Sequence, residues 1–227
     1  MRKKFDASQI PPRPDLLFEI GLWKQGYTRV AGIDEAGRGA WAGPVHAAAV
    51  ILPDDENVTA TLSGVNDSKR LTPPERTEYT GWIKRIAIAW HIGSSSHGEI
   101  DSLGIVPATI LAMKRALEGL AIQPQHLLVD YVVITDCNVP QTPLVKGDAR
   151  SLSIAAASIL AKTARDEEMT MLSALYPGYG FEKHKGYGTV IHRKQLAILG
   201  PSEIHRASYQ PVKSLSQLKF KTLDIKK

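Results

Sequence analysis

Apolar residues fall along this chain in two rhythms, short unbroken runs and spaced stripes, and each predicts a different element. Val30, Ala31 and Ile33 form a short run that delivers two adjacent acids, Asp34 and Glu35. The stretch 45–52, bracketed by valine and isoleucine and closed by Pro53, reads as a buried strand. Leu127, Leu128 and Val129 repeat the opening theme, an apolar strand with a carboxylate, Asp130, at its C-terminal edge. A further strand is predicted over 86–92, followed by a turn over 94–98. Ile110, Met113 and Leu117 stand at helical spacing and predict an amphipathic helix over 105–120 with a core stripe. Pro73 and Pro74 open a helix that reaches about Arg85. A longer helix, capped by Ser151 or Ser153, runs through Met171, and its small residues Ala155, Ala156, Ala157 and Ser158 suit close packing on a sheet. Residues 189–199 read as helical. At the N-terminus a proline-bearing arm, 1–14, precedes a short helix that Asp15 caps and that carries Leu16, Leu17, Ile20 and Leu22.

The acid pair raises the first chemical question. Neighbouring side chains of a strand point to opposite faces, so Asp34 and Glu35 share a site only if Asp34 closes the strand and Glu35 begins the turn. Paired hard-oxygen ligands at a strand end suit Mg²⁺ or Mn²⁺. The turn that follows, Gly37-Arg38-Gly39, can set bare backbone N–H groups and a guanidinium against a phosphodiester. A solvated strand end is the plain alternative. A dinucleotide fingerprint is the sharper one, because Gly37-x-Gly39-x-x-Ala42 fits its spacing. That fingerprint opens a helix whose N-terminus meets the pyrophosphate. Here a second strand follows instead, so strand, acid turn, strand argues against it.

Composition narrows the classes. A chain of 227 residues, 43% hydrophobic, is the size of one domain with a sizeable core, or of one domain plus a small appendage. No apolar run approaches the ~20 residues that span a bilayer, so no membrane segment is expected. The basic N-terminus is followed by Asp6, Pro11 and Pro12 where a signal sequence would be apolar, so no secretory signal is expected. The single cysteine, Cys137, excludes an intramolecular disulfide and a cysteine-based zinc site, which fits a reducing cytoplasm. Lys and Arg number 28 against 23 Asp and Glu, a net charge of +5, compatible with nucleic-acid binding without demanding it.

The segment G-I-D-E-A-G-R-G-x-x-A-G-P-V resembles the opening of the ribonuclease HII family, the type 2 ribonucleases H. Further blocks resemble that family in the same order: Asp67-Ser68-Lys69, the run ending at Asp130, Lys146-Gly147-Asp148, the A-A-A-S-I-L-A-K helix with Arg165-Asp166, Tyr179-Gly180-Phe181, Lys183 to Gly188, and Gly200-Pro201-Ser202 leading to His205-Arg206. Together they cover about 28–212. The sister family, ribonuclease HIII, carries an accessory N-terminal domain and valine where Arg38 stands, so both features favour HII. One departure is visible. Many members have glycine after the third acid, and this chain has Tyr131.

The resemblance implies an α/β, RNase H-like fold: a central mixed five-stranded sheet flanked by helices, with a helical C-terminal extension. It divides the chain into an arm and short helix (1–27), a catalytic domain (28–212, helical and basic from about 173) and a basic tail (213–227). It implies that Asp34, Glu35, Asp130 and Asp148 hold two divalent cations, Mg²⁺ or Mn²⁺, and carry the catalysis. Asp136, in a polar loop, and Asp166, about four turns into its helix, are weaker candidates than Asp130 and Asp148. Gly37, Arg38 and Gly39 would read the ribose 2′-hydroxyl, the group that separates RNA from DNA. Tyr187 would pack on the next deoxyribose, Lys69 would touch a phosphate, and Lys146 would lie near Asp148 as a further substrate-binding residue. His184 and His205 read as anchors of structure or phosphate, and Phe181 as core. The implied activity is endonucleolytic hydrolysis of RNA in RNA–DNA hybrids and 5′ of single ribonucleotides in duplex DNA, by a cytoplasmic monomer. Gln217, Leu218, Lys219 and Phe220 faintly resemble a peptide that binds a sliding clamp. Two other classes remain as alternatives, a non-catalytic nucleic-acid-binding module and a nucleotide-cofactor enzyme built on the glycine turn.

Overall fold

The computed structural model describes residues 5–6, 10–66, 68 and 71–215. Its centre is the first apolar run. Strand β1 (Val30–Ala36) is buried except at Glu35, which is half-buried, and lies in the middle of a five-stranded sheet. The other strands are β2 (Val45–Ile51), β3 (Ala89–Ser95), β4 (His126–Asp130) and β5 (Gln141–Leu144), in the order β3-β2-β1-β4-β5. β2 pairs antiparallel with both β1 and β3, whereas β1, β4 and β5 run parallel. The sheet is therefore mixed, as the resemblance implies.

The helices are α1 (Leu17–Trp23), α2 (Val58–Thr61), α3 (Pro73–Ile86), α4 (His97–Leu103), α5 (Ile105–Glu118), α6 (Leu152–Leu175), α7 (Phe181–His184) and α8 (Val190–Leu199). α5 covers one face of the sheet, where Ala112 and Met113 pack with Ala31, Ile33 and Val129. Met113 and Leu117 are buried and Ile110 lies against them, as their spacing predicts. α6 covers the other face with Ala155, Ala156 and Ile159 against Ala48 and Val50. A side-chain carbon placed on Gly32 would stand 2.1 Å from the Ser153 backbone carbon, so the helix lies directly on β1. Small residues make that approach possible.

Three expectations need correction. β1 does not close at Asp34; it continues to Ala36 because β2 pairs with it as far as Ala36↔His46. The strand expected over 86–92 is displaced to Ala89–Ser95. α3 holds its helical bonding to Ile86, with Lys84 and Arg85 favourably placed in its last turn, and the register Ala89↔Ile51 sets the strand start. Of the turn expected over 94–98, Ser94 and Ser95 complete β3, and Ser96 caps α4 in a reciprocal box with Glu99. β5 was not legible, being four residues long and containing Pro143, which an edge strand tolerates. Among the described residues no helix is long and apolar enough to cross a membrane.

Candidate active site

Parallel pairing brings the acids together. Ile33 pairs with Val129 and Asp130 with Leu144, so the C-terminal ends of β1, β4 and β5 share one edge. Crevices at such ends are where open α/β sheets bind ligands. From β5 the chain turns through Lys146, whose φ of 54° is left-handed, into a single 3₁₀ turn, Gly147–Ala149, that carries Asp148. The Gly147 N–H donates to Asp130 Oδ1 at 2.7 Å, tying the third acid to the segment of the fourth.

Asp34 is the buried member, 5% exposed. Burial pushes its carboxyl well above the ordinary range, and the charges of Glu35, Asp130 and Asp148 push it the same way, against a hydrogen bond from Ser158. Four carboxylates thus act on one another in one place. Glu35, although still within the strand, is met by Arg38 Nη1 at 3.2 Å, where the turn folds back over it. Among the described residues no three donors already surround one point as metal ligands. The donor chemistry nevertheless fits a hard divalent cation: all four groups are carboxylates, and the mutual repulsion around Asp34 is what such a charge offsets.

Two buried guanidinium groups shape the glycine turn. Arg206 donates to the carbonyls of Gly37 (2.8 Å), Arg38 (2.8 Å), Gly43 (3.0 Å) and Pro44 (3.1 Å). Arg165, from α6, donates to Pro44 (2.9 Å), Ala42 (3.2 Å) and Lys185 (3.0 Å). Gly37 has φ +100°, and Arg165 Nε fills the space 2.0 Å from where a β-carbon would stand. Gly39 needs neither allowance: its φ is ordinary and the space above it is open. A cavity of about 410 Å³ there is lined by Glu35, Gly37, Arg38, Gly39, Ser158 and Tyr187 among others.

Tyr187 reaches this cavity from the C-terminal part. It bridges to Ala40, Trp41 N–H donates to the Gly186 carbonyl at 2.8 Å, and the cations of Arg165 and Lys162 lie 5.1 and 5.4 Å from its ring centre. A histidine relay holds it from behind. Ser202 N–H donates to His205 Nδ1 (2.9 Å), so the His205 Nε2–H faces His192 Nε2 (3.1 Å). His192 Nδ1–H is then left to donate to the Tyr187 carbonyl (3.0 Å). Burial, and for each ring a neighbouring histidine, hold the His192 and His205 pKa values down to about 4. Unfolded histidine titrates near 6.5. Both groups therefore contribute stability that is complete above pH 6.5 and is lost as the pH falls from 6.5 towards 4. Thermal melts between pH 7.5 and 4.5, taken in an Asp34→Asn background that lacks the opposing contribution of the buried carboxyl, should show this decline, and a flat profile there would contradict the relay.

The predicted residues divide clearly. Asp34, Glu35, Asp130 and Asp148 gather at one sheet edge, with Gly37, Arg38, Gly39 and Tyr187 beside them, and Lys146 is exposed on the rim of a cleft holding Asp130 and Asp148. Lys69 and Asp67 lie outside the described residues. Asp136 is an exposed partner of Lys114, and Asp166 pairs with Lys162 and Arg76. Phe181 is fully buried, and His184 and His205 anchor backbone and neighbouring rings. Sequence reading missed Ser158, taken as packing, and gave Arg165 and Arg206 no role, because nothing local marks a buried arginine that reaches across the fold.

Residues 31–212 match the family model described as Ribonuclease HII. Two relatives with that name, from Moorella thermoacetica and Syntrophotalea carbinolica, are 51% and 47% identical over 85% and 94% of this chain, and over 92% and 99% of their own lengths. Among solved structures, the ribonuclease H2 of Pyrococcus horikoshii superposes with a TM-score of 0.71 at 26% identity, covering 85% of this chain and 99% of that one. The ribonuclease HII solved with PCNA from Archaeoglobus fulgidus superposes with a TM-score of 0.60 at 26% identity, covering 80% and 95%.

Proposed function

The chain belongs to the ribonuclease HII family of endoribonucleases, and from its site we propose how it recognises and cuts its substrate. The substrate is duplex nucleic acid containing ribonucleotides, either RNA–DNA hybrid or a single ribonucleotide in DNA. The observation that carries this reading is Asp34, buried at the end of three parallel strands, opposed by three carboxylates and flanked by an open glycine turn and a tyrosine. The reaction is hydrolysis 5′ of the ribonucleotide. Water oxygen bonds to phosphorus, the bond to the upstream 3′ oxygen breaks, and the products are a 3′-hydroxyl and a 5′-phosphate.

Asp34, Glu35, Asp130 and Asp148 would hold the divalent ions, Mg²⁺ or Mn²⁺. Bound there, such ions supply a nucleophilic water and offset charge on the leaving oxygen. The protein does the selecting. Gly39 faces open space, so its backbone can approach a sugar to hydrogen-bonding distance and read a 2′-hydroxyl. Arg38, 37% exposed at its side chain, brings a cation to the same cavity, and Arg165 and Arg206 keep the turn rigid. Tyr187 offers its ring to the next sugar downstream, where a deoxyribose lacks the group that would obstruct it. Lys146 and Lys69 would meet phosphates. The working unit is taken as a cytoplasmic monomer with its catalytic unit over 28–212. The relative from Archaeoglobus fulgidus solved with PCNA supports a clamp contact, for which the tail is the candidate, and its residues 217–220 lie outside the described residues.

A labelled DNA duplex with one central ribonucleotide tests this directly. The expected result is a single cut 5′ of the ribonucleotide that requires Mg²⁺ or Mn²⁺ and is absent from an all-DNA duplex. Binding without a cut under either metal would return the chain to the class of binding modules. Tyr187→Ala should lower kcat/KM on the single-ribonucleotide duplex by about ten-fold or more, the usual worth of an aromatic platform. Unchanged activity in that variant would remove Tyr187 from the site.

A further inference from the structure

One aromatic residue beside the acids has no place in that account. Tyr131 directly follows Asp130, and its backbone is left-handed, φ 59°, a conformation that bulky residues rarely adopt. The Tyr131 N–H donates to the Leu144 carbonyl at 2.9 Å and the Val132 N–H to the Asp130 carbonyl at 2.6 Å, so the chain turns sharply as it leaves β4. The turn throws the ring outward, and the residue is 65% exposed. Among the described residues its ring stacks on no other and its hydroxyl meets no hydrogen-bond partner. The strained backbone is therefore not repaid by packing of its own side chain. Non-glycine strain of this kind concentrates at binding sites, and Lys146, which lines the same cleft, is left-handed too.

That cleft has a volume of about 580 Å³ and is lined by Asp130, Asp148, Pro11, Val145, Lys146 and Tyr131 among others. Tyr187 belongs to the other cavity, with Glu35 and the glycine turn. The two tyrosines thus line separate cavities, one holding Asp130 and Asp148 and the other Glu35. A strand laid across the acids, with its ribonucleotide at the glycine turn and its next sugar at Tyr187, leaves the cleft lined by Tyr131 for its upstream nucleotides. We propose that Tyr131 is a further substrate-binding residue of this chain, stacking on a nucleotide upstream of the cut while Lys146 meets an adjacent phosphate. The proposal rests on the reading of the site given above. It assigns the exposed ring to a flat partner, since every base offers a face for stacking whatever its identity.

Steady-state cleavage of the single-ribonucleotide duplex by wild type, Tyr131→Ala, Tyr131→Phe and Tyr131→Gly, with thermal melts of each, tests it. Tyr131→Ala and Tyr131→Gly should raise KM about ten-fold with kcat within about two-fold, and Tyr131→Phe should match wild type. Tyr131→Gly, freed of the left-handed penalty, should melt above Tyr131→Ala while sharing its KM defect, which separates contact from stability. Shortening the cleaved strand to two nucleotides upstream should erase the difference from wild type, and shortening it downstream should preserve it. An unchanged KM in Tyr131→Ala would overturn the proposal, as would a defect that survives upstream shortening. A wild type that cuts no ribonucleotide-containing duplex would overturn the underlying reading and this proposal together, an outcome distinct from normal cutting by all four proteins.

Discussion

Asp34→Asn is expected to abolish cleavage and, in the same protein, to raise the melting temperature measured in EDTA. The activity loss should reach about a thousand-fold or more, because a hard-metal site that loses its central carboxylate loses charge and geometry together. The stability gain follows from the sign of the shift. Burial first, and then Glu35, Asp130 and Asp148, raise the Asp34 carboxyl above its unfolded value. A raised carboxyl contributes stability that is present below the unfolded pKa and is lost as the pH rises through the folded one. At neutral pH without metal, an ionised Asp34 is therefore a net cost, and asparagine removes it while keeping the shape. Added Mg²⁺ should raise the wild-type melting temperature and leave that of the variant nearly unmoved, since ligand stabilisation needs a site. A variant that melts lower than wild type in EDTA would mean that the charges around Asp34 are already relieved in the free protein. The same variant is the better background for the histidine profile, because it removes the Asp34 contribution, which runs the opposite way with pH.

Gly37→Ala and Gly39→Ala, two residues apart, should behave as opposites. At Gly37 the new methyl meets the Arg165 guanidinium at 2.0 Å and the backbone is held at φ +100°. The left-handed backbone and the overpacking together cost about 2–5 kcal/mol, which for a chain of this size lowers the melting temperature by roughly 5–15 °C. Moving Arg165 also releases the carbonyls of Ala42 and Lys185 and leaves that of Pro44 to Arg206 alone, so turn and Tyr187 segment loosen together and cleavage falls. At Gly39 the methyl meets nothing within 4 Å, so folding should change by less than about 0.5 kcal/mol. The methyl instead stands where the substrate sugar must approach, and kcat/KM should fall about ten-fold or more. Differential scanning fluorimetry beside the cleavage assay separates the two. Equal melting temperatures for both variants would show that Arg165 yields freely and that the turn is softer than its hydrogen bonds imply.

Several parts of this site were legible residue by residue. Strands ending in Asp34 and Asp130 announce themselves as apolar runs closed by an acid, and a run of small residues on α6 announces a helix that lies close to a sheet. Asp136 and Asp166 could be set aside on local grounds, and the structure pairs them with Lys114, Lys162 and Arg76. What the pattern rules misjudged were ends. They stopped β1 two residues early and started β3 three residues early, because strand ends are set by pairing with β2, which no single run displays. Ser158 was misread for a similar reason. On a helix rich in small residues a serine looks like packing until the strand beneath it is known to carry a buried carboxyl.

The chain by itself determined the kinds of elements, the order of its motif blocks and the inventory of acids, glycines and aromatics, since these depend on spacing and on residue chemistry within one or two turns. Tertiary structure alone decided which of them meet. The parallel register Ile33↔Val129 places Asp34 beside Asp130, and the Arg206 guanidinium closes over Gly37 across 169 residues of sequence. The histidine relay reaches the Tyr187 carbonyl from Ser202, and the backbone at Tyr131 turns its ring out beside the acids. Hydrogen bonds and charges act over a few ångströms of space whatever the separation along the chain, so a local pattern can supply the participants while only the folded register assigns their partners.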